Sequence, residues 1–381
     1  MSIAGIIITV IAAFVFFLLY AALPYNGRKE RMREFCGWYY AHRGLHDKED
    51  APENSMLAFE RAVEKGYGIE LDVRMTGDNQ LVIMHDPDLM RAAGIPKKIS
   101  DMSLREATEY TLFGTEQHVP IFWEVLKTVD GKVPLIIEIK AERGDDVKEI
   151  CGETAFILDG YEGQYCIESF HPGVVRWFRK NRPQTLRGQL SECMDFKTQG
   201  FFSFSLSACL FNFLTKPDFI AYNLRDMYKL PYVYMRKAAD AFGAAWTVRS
   251  EEALLDAKMM YDVFIFENFL PDPLEKARLR SGGQTEGKAM EGIVRRHLIF
   301  SGDVQGVGFR YHANYISQHL GVTGWVKNLY DGRVEMEAQG TETQIESLIS
   351  QLKAQRFVEI SDIESELIKV DPRSYEFKVR Y

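Results

Sequence analysis

The chain of 381 residues is 46% hydrophobic, 13% aromatic and 26% charged. That is material for two or three domains, and it excludes disorder, collagen and low-complexity sequence. A net charge of −8 argues against a nucleic-acid partner, which requires a basic face, and a mean hydropathy of −0.20 excludes a polytopic membrane protein but leaves room for one anchor.

Residues 3–23 form an uncharged apolar run, and the first charge in the chain is Arg28. About 20 apolar residues at 1.5 Å rise cover a hydrocarbon core of roughly 30 Å, and in lipid such a run must be helical. Only Met1 and Ser2 precede it, without the basic stretch of a cleaved leader, so it reads as an uncleaved anchor. Arg28, Lys29, Arg31 and Arg33 follow, which by the positive-inside rule places the remainder at the cytoplasmic face of the cell membrane, with the basic cluster available to lipid head groups. Residues 1–34 are thus expected to be an anchor and a juxtamembrane segment.

From Trp38 onward, short apolar runs alternate with helical patterns over residues 35–279. The runs are 38–44, 68–74, 81–86, 134–140, 165–170, 186–191, 219–224, 244–248 and 263–268. Alternation of this kind reads as βαβ units, and roughly 240 residues fit one (β/α)8 TIM barrel. Nine runs compete for eight staves, and the expectation is that either 186–191 or 219–224 is not a stave. Residues 280–292, rich in glycine and polar residues, read as a linker. Residues 293–381 then follow a β-α-β-β-α-β order, the ferredoxin-like α+β arrangement. The five cysteines are widely spaced without a Cys-x-x-Cys, so neither a disulfide framework nor a zinc site is expected.

Four barrel runs end in reactive groups: His42-Arg43, Glu70 with Asp72, His85-Asp86, and Glu138 with Lys140. Residues two apart on a strand share a face, and in such barrels the active site lies where strands end. Three converging carboxylates repel one another unless a divalent cation sits between them, and an all-oxygen set favours Mg2+ or Ca2+. Arg43 and Lys140 offer charge to a phosphate, and His42 and His85 carry protons near neutral pH. Together these are the parts of a phosphodiester-cleaving site.

The segments AHRG (41–44), APENS (51–55), ELDV (70–73), VIMHD (82–86), EIK (138–140), ESF (168–170) and AWTV (245–248) occur in the order found in the glycerophosphodiester phosphodiesterase family, which the chain resembles from about residue 39 to 273. The resemblance implies that His42 and His85 are the acid/base pair and that Glu70, Asp72 and Glu138 are the metal ligands. It also implies phosphate contacts from Arg43 and Lys140, a loop shaped by Glu53 and Asn54, and a pocket lined by Trp246. Two departures stand out: Arg249 where the family has Asn after WTV, and FENFLPD (266–272) in place of the closing Thr-Asp-x-Pro. Both place substrate contacts near the last strands in question.

In SGDVQGVGFRYHA (301–313), Gly306 and Gly308 permit a tight loop whose N–H groups converge on an anion at a helix start. Arg310 sits at that junction, and Asn328 ends a strand before a turn. The combination resembles the acylphosphatase family over nearly all of 293–381. It implies a phosphate-binding Arg310, a water-orienting Asn328 and no metal. The resulting expectation is a membrane-anchored enzyme cleaving a phosphodiester, small or lipid-like, to glycerol 3-phosphate and an alcohol, with a second domain hydrolysing acyl phosphates. The rival readings are a lysophospholipase D and a silent membrane-anchored sensor. The uncharged stretch 200–215 is open between a membrane-dipping element beside the mouth and a buried crossover helix.

Overall fold

The structure is a computed structural model describing residues 2–380 except 143, 194–202, 273–292, 354, 356–357, 372–373 and 375–376. The expected linker 280–292 and residues 200–202 therefore lie outside the described residues. The chain divides into two compact units, Met1–Gly283 and Gln284–Tyr381.

In the first unit eight parallel strands close into a barrel: β1 (Tyr39–His42), β2 (Gly68–Met75), β4 (Leu135–Ile139), β5 (Tyr165–Ser169), β6 (Arg187–Ser191), β7 (Phe219–Asn223), β8 (Gly243–Val248) and β9 (Val263–Phe266). Closure comes from β1 pairing with both β9 and β2. The ninth run supplies β3 (Leu81–Ile83), which pairs antiparallel with β2. This corrects the expectation for the odd strand: residues 186–191 and 219–224 are both staves, and 81–86 is the one that is not. The physical reason is connection length, because a parallel crossover needs a dozen or more residues and only TGDNQ (76–80) separates β2 from β3.

The staves read as near-continuous apolar runs because both their faces are covered. Ile69, Leu71, Val73, Leu135, Ile137 and Ile139 are fully buried, and each such side chain contributes about 1.5–3 kcal/mol on leaving water. Helices cover the outer wall, and four of them are started by a local signal. Ser55 caps α2 (Met56–Lys65) by accepting from the Ala58 N–H, and the left-handed Gly66 closes it. Asp146 caps α4 (Val147–Leu158), following α3 (Phe122–Val129). His171 precedes α5 (Pro172–Asn181), with proline in the first turn, and Ser250 caps α6 (Glu251–Ala257).

Ahead of the barrel, α1 (Ile3–Ala21) is a 19-residue helix without a charged side chain. Its exposed residues include Ile8, Val10, Phe14 and Phe16, while Ala21 and Ala22 are buried. Among the described residues no helix is long and apolar enough to cross a membrane. The side chains of residues 3 and 4 fall outside the described set, so the fold does not establish the single-pass span expected over residues 3–23.

The second unit is a five-stranded sheet with two helices. Its elements are β10 (Ile293–Asp303), α7 (Phe309–Leu320), β11 (Thr323–Asn328), β12 (Val334–Thr341), α8 (Glu342–Lys353), β13 (Glu359–Ile368) and β14 (Phe377–Val379). The strand order is β13-β10-β12-β11-β14, the expected β-α-β-β-α-β with one closing strand. Its own core includes Leu298, Phe300, Phe309, Val326, Met336 and Leu348.

Candidate active site

Strand register builds the barrel site. His42 lies opposite Glu70, Asp72 opposite Glu138, and Glu138 opposite Glu168 on neighbouring staves. Glu70, Asp72 and Glu138 are buried, and their carboxylate oxygens come within 4.8 Å of one another. Lys140 Nζ stands 2.7 Å from Glu138 and 3.0 Å from Asp72. Burial, with the Asp72 and Glu138 charges adding to it, pushes the Glu70 carboxyl well above the usual carboxylate range. Burial lifts Glu138 to about 6 against the pull of Lys140. Asp72 would be raised by burial too, but Lys140 and Arg43 hold it far below its ordinary value.

The loop after β1 wraps this cluster. Arg43 adopts a left-handed backbone, φ 57°, and its N–H donates to Glu70 Oε2 at 3.0 Å while its guanidinium donates to Glu53 at 2.6 Å and lies 3.4 Å from Asp72. Gly44 has φ +83°, and a Cβ there would stand 2.9 Å from the Ala58 backbone, so the turn requires glycine. Asn54 Nδ2 donates to Asp72 Oδ2 at 2.7 Å. Arg74, also on β2, holds the segment after β3 in place by donating twice to the His85 carbonyl.

Both histidines reach this rim, each with Nδ1 against a carboxylate. His42 Nδ1 is 2.5 Å from Glu267 Oε2, and His85 Nδ1 is 2.6 Å from Asp86 Oδ1. With Nδ1–H donating, Nε2 keeps its lone pair, and His42 Nε2 lies 3.9 Å from Glu70. Burial lowers both imidazole pKa values, His85 to about 4. Burial would raise Glu267, but the bond to His42 and the nearby Arg249 hold it at about 2. Each pair at neutral pH is therefore a neutral imidazole beside an ionised carboxylate. Trp246 meets Phe170 edge-on, centroids 5.6 Å apart, and its Nε1 is buried without a hydrogen-bond partner.

All eight barrel residues singled out from sequence sit at this one end of the barrel: His42, His85, Arg43, Lys140, Trp246, Glu70, Asp72 and Glu138. Three others stand in segments noted from the sequence but were given no role there. Glu267 and Asp86 orient the histidines, and Glu168, fully buried next to Glu138, is pushed well above the usual carboxylate range by burial and that neighbour. Glu267 lies in the segment already noted as unusual, but nothing local says which partner it reaches.

In the second unit Gly306, Gly308, Arg310, Asn314 and Asn328 line one cavity of about 320 Å3. Gly306 and Gly308 carry φ +79° and +82°, the conformations that aim successive N–H groups inward. Gln305 ties this loop to the hairpin after β11 by donating to the carbonyls of Leu329 and Arg333.

The model of the Glycerophosphoryl diester phosphodiesterase family matches residues 42–266, and that of Acylphosphatase matches residues 296–379. This chain belongs to the glycerophosphoryl diester phosphodiesterase family and carries an acylphosphatase domain. The barrel segment is 33% identical over 165 residues to a glycerophosphodiester phosphodiesterase of Caldanaerobacter subterraneus, covering 40% of this chain and 66% of that one. The C-terminal domain is 39% identical over 90 residues to an acylphosphatase of Clostridium beijerinckii, covering 23% of this chain and all of that one. In fold, the chain is similar to an Oleispira antarctica phosphodiesterase solved with the product sn-glycerol-3-phosphate, with a TM-score of 0.51 and 19% identity over 66% of this chain and 98% of the other. Both families are hydrolases, and so is this phosphodiesterase family member.

Proposed function

We propose that the barrel hydrolyses glycerophosphodiesters to glycerol 3-phosphate and an alcohol at a divalent-cation centre, and that the C-terminal domain hydrolyses acyl phosphates. The observation that carries the barrel reading is the buried trio Glu70, Asp72 and Glu138, flanked by two imidazoles each fixed through Nδ1. Their donor chemistry fits Mg2+ or Ca2+: three buried carboxylates that offer only oxygen atoms. Bound there, the cation supplies charge neutralisation for the phosphate oxygens.

The chain's own groups do the rest. Arg43 and Lys140 hold the phosphate against the rim. One neutral histidine takes the proton of the attacking hydroxyl, from water or a neighbouring substrate hydroxyl, at its free Nε2. The other acts as the acid only after its Nε2 has taken up a proton from solvent: it gives that proton to the departing alcohol oxygen and returns to the neutral ring. Glu267 and Asp86 keep both rings in the tautomer this requires. Trp246 and Phe170 form an apolar wall beside the reacting group. In the second domain Arg310 and the loop N–H groups bind the acyl phosphate, and Asn328 orients the attacking water without a metal.

We further read α1 as lipid-embedded, with both domains on the cytoplasmic side of the cell membrane. A helix that is apolar all round needs a covering, and α1 carries no charged side chain along its nineteen residues. The test is product analysis of the full chain in detergent. Glycerophosphocholine is expected to yield glycerol 3-phosphate, with the rate falling at least a hundredfold in chelator or in Glu138→Gln. An unchanged rate in both, or choline phosphate as the product, would refute the barrel reading. Loss of acyl-phosphate hydrolysis in Arg310→Ala tests the second domain.

A further inference from the structure

The helix α1 joins the barrel at the end opposite to the active site. The segment after it is tied to the loops that lead into strands. The Tyr25 N–H donates to the Pro217 carbonyl at 2.7 Å and Asn26 Nδ2 to the Ala239 carbonyl at 2.8 Å. Arg28 pairs with the buried Asp218 through Nε at 2.8 Å and also donates to the Thr185 carbonyl. Arg31 donates to the Gln184 carbonyl at 2.8 Å, and Lys29 pairs with Asp240. Residues 184–185, 217–218 and 239–240 each stand just before the first residue of β6, β7 or β8. They form the base of the barrel. His42 and Glu138 stand at strand C-terminal ends and Lys140 just after one, across a barrel where a five-residue stave such as β4 spans roughly 15 Å.

The last turns of α1 are seated as well. Asn212, fully buried, donates to the Ala22 carbonyl at 2.8 Å, Phe213 meets Phe17 edge-on at 6.1 Å, and the Tyr234 hydroxyl donates to the Leu19 carbonyl. The described part of the uncharged stretch 200–215 thus serves as a socket for α1. Its end sits beside the base, while its earlier part reaches the C-terminal end of β6, where the Ser191 hydroxyl donates to the Leu206 carbonyl. The basic residues expected to meet lipid head groups are paired within the chain instead: Arg28, Lys29 and Arg31 as above, and Arg33 with Glu30 at 2.7 Å.

We propose that the barrel stands base-down on the bilayer with its mouth turned to water, so that the phosphodiesterase takes water-soluble glycerophosphodiesters in preference to lysolipids held in the bilayer that anchors it. This rests on the reading of α1 as lipid-embedded and of the barrel as a phosphodiesterase. A clamp with this many fixed contacts does not let the body swing the mouth down to its own membrane. A substrate whose phosphate sits at the head-group level is therefore out of reach.

The full chain is reconstituted in phosphatidylcholine vesicles carrying a head-group acceptor dye. A donor dye is placed either at the base, on exposed Lys237→Cys, or near the mouth, on exposed Met90→Cys, in a chain with Cys36 and Cys193 changed to Ser. Stronger energy transfer from the base than from the mouth is expected, and equal or reversed transfer overturns the orientation. Turnover of lysophosphatidylethanolamine is then compared in the vesicles and in detergent, with glycerophosphoethanolamine as the soluble diester. The lysolipid rate is expected to be at least tenfold lower in vesicles, or absent in both media, while the soluble diester is cleaved alike in both. Lysolipid cleaved as fast in vesicles as in detergent overturns the proposal. Failure of the chain to float with vesicles removes the anchoring reading, and absence of any diester hydrolysis in detergent removes the phosphodiesterase reading. Each of those would also end this inference.

Discussion

The two departures from the family pattern meet in space. Arg249 Nε donates to Glu267 Oε1 at 2.6 Å, and the other Glu267 oxygen receives His42 Nδ1. A guanidinium at the end of β8 and a carboxylate after β9 thus form one support for an imidazole on β1. Glu267→Gln is expected to lower kcat roughly tenfold to a hundredfold with KM nearly unchanged, as loss of a ring-orienting partner does, and Glu267→Asp is expected to recover part of it; steady-state kinetics on a soluble diester reads both. His85 gives a pH prediction. Its folded-state pKa is down at about 4 from an ordinary 6.5, so between those values the unfolded chain takes up a proton that the folded chain refuses. Stability is therefore lost as pH falls through that window. For a side chain 33% exposed, solvent screening reduces this to about 1–2 kcal/mol. Unfolding free energies of wild type and His85→Gln, from urea titrations, are expected to diverge by this amount between pH 7.5 and 4.5. The histidines, carboxylates and cations were legible in the sequence because their types and spacing carry the chemistry. Glu267 and Glu168 were not, since a carboxylate acquires its role from what folds against it.

At the scale of elements, register does the assembling. A one-residue slip of β2 against β4 turns Glu70 and Asp72 to the other face and dismantles the cluster. Burial, with the Asp72 charge adding to it, raises the Glu70 and Glu138 carboxyls, a cost that a cation relieves, so Mg2+ or Ca2+ is expected to raise the thermal midpoint of wild type. The gain is about 2.7 kcal/mol at a hundredfold excess over Kd. Glu138→Gln is expected to abolish that shift, while its own metal-free midpoint stays level or rises because one crowded carboxylate is gone. Calorimetry with and without chelator distinguishes the two. The β2–β3 hairpin belongs to this scale too. Its strand character was plain in the apolar run, but pairing direction followed from a five-residue turn too short for a crossover.

At the scale of the molecule, the two units keep separate cores, one drawn from residues 32–269 and the other from residues 294–379. Residues 293–381 are accordingly expected to fold and hydrolyse acyl phosphate as a fragment. In the full chain, Arg310→Ala is expected to remove that activity and leave diester hydrolysis within about twofold of wild type, since the two sites belong to units with separate cores. Separate assays of both activities check this.

The sequence by itself determined the division into an apolar helix, a βα barrel and a small α+β domain, because hydrophobic period and turn composition are local properties of the chain. It also determined which residue types could hold a cation, carry protons and bind phosphate. Only the tertiary structure decided which strand left the barrel wall, which carboxylates orient the histidines, and at which end of the barrel the apolar helix is tied. Those outcomes depend on which loop closes over which strand end, and contacts between residues such as Arg28 and Asp218, 190 positions apart, leave no periodic mark on the chain that makes them.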